Sequence, residues 1–269
     1  MSGATRRAAW EDLAKGAPPV GVFTPAEIVA LPPPAQRFLT YTLTPGIQLT
    51  PTVLLEMEGD IRLKDWVPFQ ARQILRAREG FVWEATAGKP PLIFKGGDTY
   101  WNGTGSLDFR IWGIIPVARA AGPDIDRSAA GRLAAETVAW APQALTPQMG
   151  ATWTPIDTDT ATVTLPVRDA TVDVTITVDA KGRIQELITQ RWGDPNPGQF
   201  DSYPFGGAFD DHADFDGVTI ATAGRVGWWW GTEHQPDGEF FRGRITKAHV
   251  PEMWTPGQRL NKTPARDRF

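Results

Sequence analysis

The sequence predicts an α+β protein, mostly antiparallel β, in which a strongly curved sheet or incomplete barrel is covered by a central helix. Three observations carry that expectation. Apolar and polar residues alternate with period two through most of residues 50–250, between short turns that contain glycine. A single alanine-rich helical pattern interrupts them at 127–140. The chain of 269 residues holds 12 tryptophans against 3 tyrosines, which asks for a wide core or a lined cavity.

The elements follow in order. Residues 1–48 read as a helical N-terminal segment. Thr24-Pro25-Ala26-Glu27 has the form of a capping box with proline at the first helical position, and Leu31-Pro32-Pro33-Pro34 breaks that helix. A second helix, from about Pro34 to Leu43, ends near Gly46. Val53, Leu55, Met57, Ile61 and Leu63 then share one face of a strand whose other face is charged. Phe69, Ala71, Leu75 and Ala77 form the next apolar face, with Gln73 on the same side, and Phe81, Trp83 and Ala85 continue it after Gly80. Short strands are expected at 91–95, 98–102 and 107–112.

Asp126 or Ser128 can cap the central helix, which reaches Trp140 and stops before Pro142; Arg132 and Glu136 form an i,i+4 pair on it. Alternation returns at 163–167 and 172–178, and Asp179-Ala180-Lys181-Gly182 reads as a hairpin turn into Ile184, Ile188 and Trp192. A proline- and glycine-rich stretch from Gly193 to Gly207 reads as a long loop, functional or a lid. Strands near 217–222, 225–231 and 239–248 precede a polar tail at 256–269. With no repeat and no linker, residues 1–269 read as a single domain.

Composition narrows the function. The formal net charge of -4, with both signs interspersed, argues against a nucleic-acid surface. The absence of cysteine removes disulfides, thiolate metal sites and cysteine nucleophiles. Glu11, Asp12 and Lys15 interrupt any secretory apolar run and no stretch is long enough to span a membrane, so a cytoplasmic protein without an integral membrane segment is expected. Phosphate loops, dinucleotide fingerprints, nucleophile elbows and zinc-protease helices are missing, and no cofactor is expected. His212 stands in the acidic stretch Asp210–Asp216, but its spacing fits no calcium loop and no metal site is expected.

The residues that can carry chemistry are polar groups set on apolar faces. Gln73, Glu186 and Glu136 are the foremost, because a buried carboxylate must be paired or have its pKa raised. Glu136 is the candidate acid/base, with its pairing to Arg132 as the structural alternative. His234 beside Glu233 is a second catalytic candidate, although Gln235-Pro236-Asp237-Gly238 reads first as an exposed hairpin turn. Trp83, Trp101, Trp140, Trp192, Trp228 and Trp230 are candidate ligand-lining residues. Arg242 joins them as a counter-charge; Arg191 is a second one, and both read first as strand-surface residues.

Arg132-Leu133-x-x-Glu136-x-x-x-Trp140-x-Pro142-x-Ala144-Leu145 resembles a stretch of an uncharacterised bacterial family of the domain-of-unknown-function kind. Phe81-x-Trp83-x-Ala85 and the segment from Phe215-Asp216-Gly217 through Gly227-Trp228 to Gly238-Glu239-Phe240-Phe241-Arg242 share that resemblance, which covers about residues 50–249. It implies a shared fold and transfers no activity. More loosely, strands curved around a helix are similar to the half-barrels of periplasmic lipoprotein carriers, which hold lipid in an apolar hollow. Three functions follow as expectations. The first is binding of an apolar or aromatic small molecule in a Trp-lined cavity. The second is a cofactor-independent isomerase, lyase or cyclase using Glu136, and the third is a structural or interaction domain.

Overall fold

The computed structural model describes residues 3–168 and 170–250. The expected tail at 256–269 lies outside the described residues. Helix α1 (Gly3–Ala14) buries Ala9 and Leu13 against Ile74 and Val82. The capping-box sequence forms one 3₁₀ turn, Pro25–Ile28, rather than a full helix. The Thr24 amide donates to Glu27 Oε1 at 2.9 Å, and the prolines that follow allow no further turn. Helix α2 (Pro33–Thr42) buries Phe38 and Leu39.

Six antiparallel strands follow as hairpins: β1 (Thr52–Arg62), β2 (Trp66–Arg76), β3 (Gly80–Lys89), β4 (Leu92–Trp101), β5 (Thr104–Ile111) and β6 (Ile115–Ala121). The two strands expected at 91–95 and 98–102 are one, because Gly96 and Gly97 continue the ladder opposite Ala85 and Glu84. Helix α3 (Pro123–Trp140) begins earlier than the expected 127, with Pro123 at its first turn beside Asp124 and Asp126. Asp126 does not cap it; its Oδ1 accepts the Gly105 amide at 2.6 Å and ties the helix to β5.

The second half comprises β7 (Thr152–Pro155), β8 (Thr160–Val167), β9 (Ala170–Val178), β10 (Ile184–Gly193), β11 (Asp201–Phe215) and β12 (Val218–Trp228). After the short α4 (Gln235–Gly238), β13 (Glu239–His249) pairs with both β12 and β1. That pairing joins the halves into one sheet of 13 strands, in the order β6-β5-β4-β3-β2-β1-β13-β12-β11-β10-β9-β8-β7. The loop expected from Gly193 to Gly207 is mostly strand, since Gly193 pairs with Asp201 and Leu187 with Gly207. Its glycines and Pro204 masked an alternating face of Tyr203, Phe205, Gly207 and Phe209. Likewise the strands expected near 217–222 and 225–231 are one, β12, which ends at Trp228.

Helix α3 packs on β5 toward one end of the strand order and on β10 toward the other. Strands so far apart in the order can touch the same helix only if the sheet curls around it. The sheet is therefore a half-barrel, with α3 in its hollow and α1 on the opposite face. Its chain ends of order, β6 and β7, do not pair with each other, so the barrel stays open.

Two glycines permit the close approach. A Cβ on Gly105 would stand 2.6 Å from the Ile125 carbonyl oxygen and 3.1 Å from Ala129 Cβ. A Cβ on Gly131 would stand 3.1 Å from Arg191 Cγ on β10. The backbone at Ile125 cannot yield as a flexible side chain does, so Gly105→Ala is expected to destabilise the fold by about 1–3 kcal/mol through overpacking. Urea unfolding measures it; an unchanged midpoint would show that α3 is not pressed against β5.

Candidate functional site

Between α3 and the concave face lies a cavity of about 200 Å³. Its wall combines Trp83, Trp140 and Trp228 with Phe205, Phe209, Phe240 and Phe241, and aliphatic residues complete it. Four ionisable side chains and one amide also face it: Asp98, Arg132, Glu136, Arg191 and Gln73.

The polar group is assembled by register. Gln73 on β2 lies opposite Trp83 on β3, which lies opposite Asp98 on β4. These three side chains form one row across the concave face, and α3 presents Arg132 and Glu136 to it from above. Arg132 Nη1 donates to Asp98 Oδ2 at 2.6 Å, and Arg132 Nε to Glu136 Oε1 at 2.6 Å. Gln73 Nε2 donates to Glu136 Oε2, also at 2.6 Å. The guanidinium of Arg132 lies 4.6 Å from the Phe81 ring centroid and 5.5 Å from that of Trp83. Both carboxylates therefore spend an oxygen on Arg132, while Asp98 Oδ1 and Gln73 Oε1 are buried without a hydrogen-bond partner.

Burial is the leading influence on Asp98, Arg132 and Arg191. It pushes the Asp98 carboxyl above its usual range, against the opposing pull of Arg132. It also works against the charge of Arg132, but Glu136 and Asp98 outweigh it and hold that guanidinium above its ordinary value. Arg191 is compensated less, because Glu136 and Asp98 act on it only from beyond ion-pair distance. Burial, reinforced by the nearby Arg132 charge, brings it down to about 9, so it is still protonated at neutral pH.

Six of the residues singled out in the sequence meet at this cavity: Gln73, Trp83, Glu136, Trp140, Arg191 and Trp228. The other six do not line it. Trp101 faces α1 on the opposite side of the sheet, where its Nε1 donates to Asp12 Oδ2 at 3.0 Å. Trp230 donates from Nε1 to Glu186 Oε1 at 2.7 Å, so those two satisfy each other. Trp192 bonds Asp124 Oδ1 at 2.8 Å and stacks under Arg127 near the start of α3. Arg242 pairs with Glu239 at 2.5 Å and lies over Trp66. His234 stands at the start of the α4 turn with a side chain 65 % exposed, 3.7 Å from a still more exposed Glu233. Its placement follows the turn signal of Pro236-Asp237-Gly238, not the catalytic one.

Arg191, read first as a surface residue, lines the cavity instead, because β10 curls over α3. Asp98 was missed, although it shares the strand phase of buried Tyr100, the same signal that exposed Gln73. Phe240 and Phe241 both reach the cavity despite being consecutive, which no period-two reading finds; a register shift of β12 against β13 falls beside them, between Val226 and Gly227. Among the described residues no group of three or more His, Cys, Asp and Glu side chains converges to hold a metal ion.

Asp98 makes a pH prediction. A carboxyl whose folded pKa exceeds its unfolded 3.8 stabilises the fold fully below 3.8, and that contribution disappears as pH rises through the folded value. The stability of the wild type relative to Asp98→Asn is therefore expected to be greatest in acid and to fall toward neutral pH. Denaturant unfolding of both proteins across that range checks the sign; a relative gain for the wild type with rising pH would refute it.

No curated protein shows significant sequence similarity to the chain. Two solved structures are similar to the chain at low identity. One is a putative outer membrane lipoprotein-sorting protein domain from Vibrio parahaemolyticus, with TM-score 0.39 and 10% identity, over 78% of this chain and 88% of that one. The other is a LolA superfamily protein from Nitrosomonas europaea, with TM-score 0.36 and 11% identity, over 75% of this chain and 86% of that one. The sequence resemblance to a family without known activity is confirmed over residues 21–241: the chain belongs to DUF6544, a family of unknown function.

Proposed function

We propose that the protein binds an apolar or aromatic small molecule in the cavity between α3 and the sheet. The observation that carries this reading is the wall itself, three tryptophans and four phenylalanines around about 200 Å³ of space. Packing inside proteins ordinarily leaves few voids larger than a water molecule. An apolar cavity of about 150 Å³ already accepts benzene, so this one accommodates a ring system or a short alkyl chain. The aromatic walls offer broad apolar contact. No indole N–H of Trp140 or Trp228 bonds another described residue, which leaves two donors for a ligand (the Trp83 N–H rests on Met57 Sδ at 3.4 Å).

A second reading, cofactor-independent acid/base catalysis on an apolar substrate, has one observation in its favour: two carboxyl groups reach the cavity. Glu136 has both oxygens engaged by Arg132 and Gln73. Asp98, with Oδ1 unpartnered and its proton held more tightly by burial, is the better placed acid. Binding requires neither group to transfer a proton, and it remains the preferred reading.

Titration of tryptophan fluorescence with naphthalene and octanol tests both. Saturable changes are expected for the wild type, with no chemical change in the recovered ligand. Ala135→Phe, which adds a ring at the cavity wall, is expected to weaken binding at least about tenfold while unfolding stays cooperative. Absence of saturation in the wild type, or equal affinity in Ala135→Phe, would contradict binding at this cavity; a transformed ligand would favour catalysis.

A further inference from the structure

Resting on that reading, we propose that the ligand is an amphiphile bearing a carboxylate, and that Arg191 receives it. Among the charges at the cavity Arg191 stands apart. Arg132 is matched by two carboxylates within 2.6 Å, whereas no carboxylate of the described residues lies within ion-pair distance of Arg191. Its hydrogen bonds go to neutral groups of α3: Nε to the Ser128 carbonyl at 3.1 Å, and Nη2 to Ser128 Oγ at 3.3 Å. These occupy one edge of the guanidinium. The other edge, formed by Nη1 and the second Nη2 hydrogen, bonds no group of the described residues.

The setting fixes that edge in place. The guanidinium carbon lies 4.5 Å from the Phe205 ring centroid and 4.8 Å from that of Trp228, two rings that themselves meet edge to face at 5.1 Å. Those aromatic faces partly compensate the charge but form no hydrogen bonds to it. A planar fork with two free N–H groups, held by Ser128 and two rings beside an apolar space, matches a carboxylate bidentately. The apolar body of the ligand then lies along Phe209, Phe240 and Phe241.

Charge complementarity also disfavours cationic and neutral head groups. A cation would meet Arg191 with repulsion and would compete with Arg132 for carboxylates already paired. A neutral alcohol offers that edge one acceptor where a carboxylate offers two.

Calorimetric titration of the full chain with octanoate, octanol and octylammonium decides the matter. Octanoate is expected to bind the wild type at least about tenfold more tightly than octanol. Arg191→Met keeps an unbranched side chain over Gly131 and is expected to lose that preference through weaker octanoate binding. Arg191→Lys keeps the charge and should retain a smaller preference, so the test survives if the methionine variant does not fold. Equal affinity for octanoate and octanol in the wild type, tighter binding of octylammonium, or a preference that persists in Arg191→Met would each overturn the carboxylate proposal while leaving apolar binding intact. Failure of all three probes to bind the wild type would overturn both.

Discussion

The charge of Arg132 stands inside an apolar hollow, and two carboxylates match it there only because it holds helix and sheet together. One end of its guanidinium bonds Asp98 on β4, and the other bonds Glu136 one turn along α3. Removing water from a charge costs several kcal/mol, so a geometry that lost either partner would be strongly disfavoured. The position of α3 therefore depends on the row Gln73–Trp83–Asp98 lying beneath it. That row depends on the register of three neighbouring strands. The cavity is what remains when the helix is held at this height, by ions in the middle and by close contacts at Gly105 and Gly131 on the flanks.

The same arrangement explains why the wall is so aromatic. A helix riding on long polar side chains cannot also press its alanines onto the sheet beside them. Broad rings reach across the gap where smaller residues would not, and Phe205, Trp228, Phe240 and Phe241 extend inward from β11, β12 and β13. The outcome is a partly filled hollow in which fixed charges sit beside apolar space. Buried ionic groups of this kind contribute little net stability compared with well-packed apolar residues, but they penalise wrong geometries. Here they also give an otherwise greasy space a polar end, with Arg191 as its one guanidinium that no carboxylate answers.

Much of the architecture was legible in the sequence. Alternation identified the strands around Val53–Leu63, Phe69–Ala77 and Val172–Val178, and the alanine-rich pattern before Pro142 identified the helix that fills the hollow. Gln73 and Glu136 stood out because polar groups occupied apolar phases, and they proved to touch one another. What alternation could not convey was curvature. Residues brought together because β10 and β5 curl around the same helix, such as Arg191 and Asp98, have no local signature of their meeting. Individual tryptophans were equally mute: Trp101 and Trp140 look alike in sequence, yet one packs under α1 and the other faces the cavity. Gly96, Gly97, Pro204, Gly206 and Gly207 suggested breaks and loops, but each keeps its place in a ladder.

The claim that the Arg132–Asp98 bridge sets the helix on the sheet is tested most directly by a double-mutant cycle. Unfolding free energies of the wild type, Arg132→Met, Asp98→Asn and the double variant isolate the coupling between these two side chains. The account predicts a favourable coupling of at least about 1.5 kcal/mol, because either residue alone leaves the other enclosed without its partner. A coupling within about 0.3 kcal/mol of zero would mean that α3 keeps its height without the bridge, and would contradict the account.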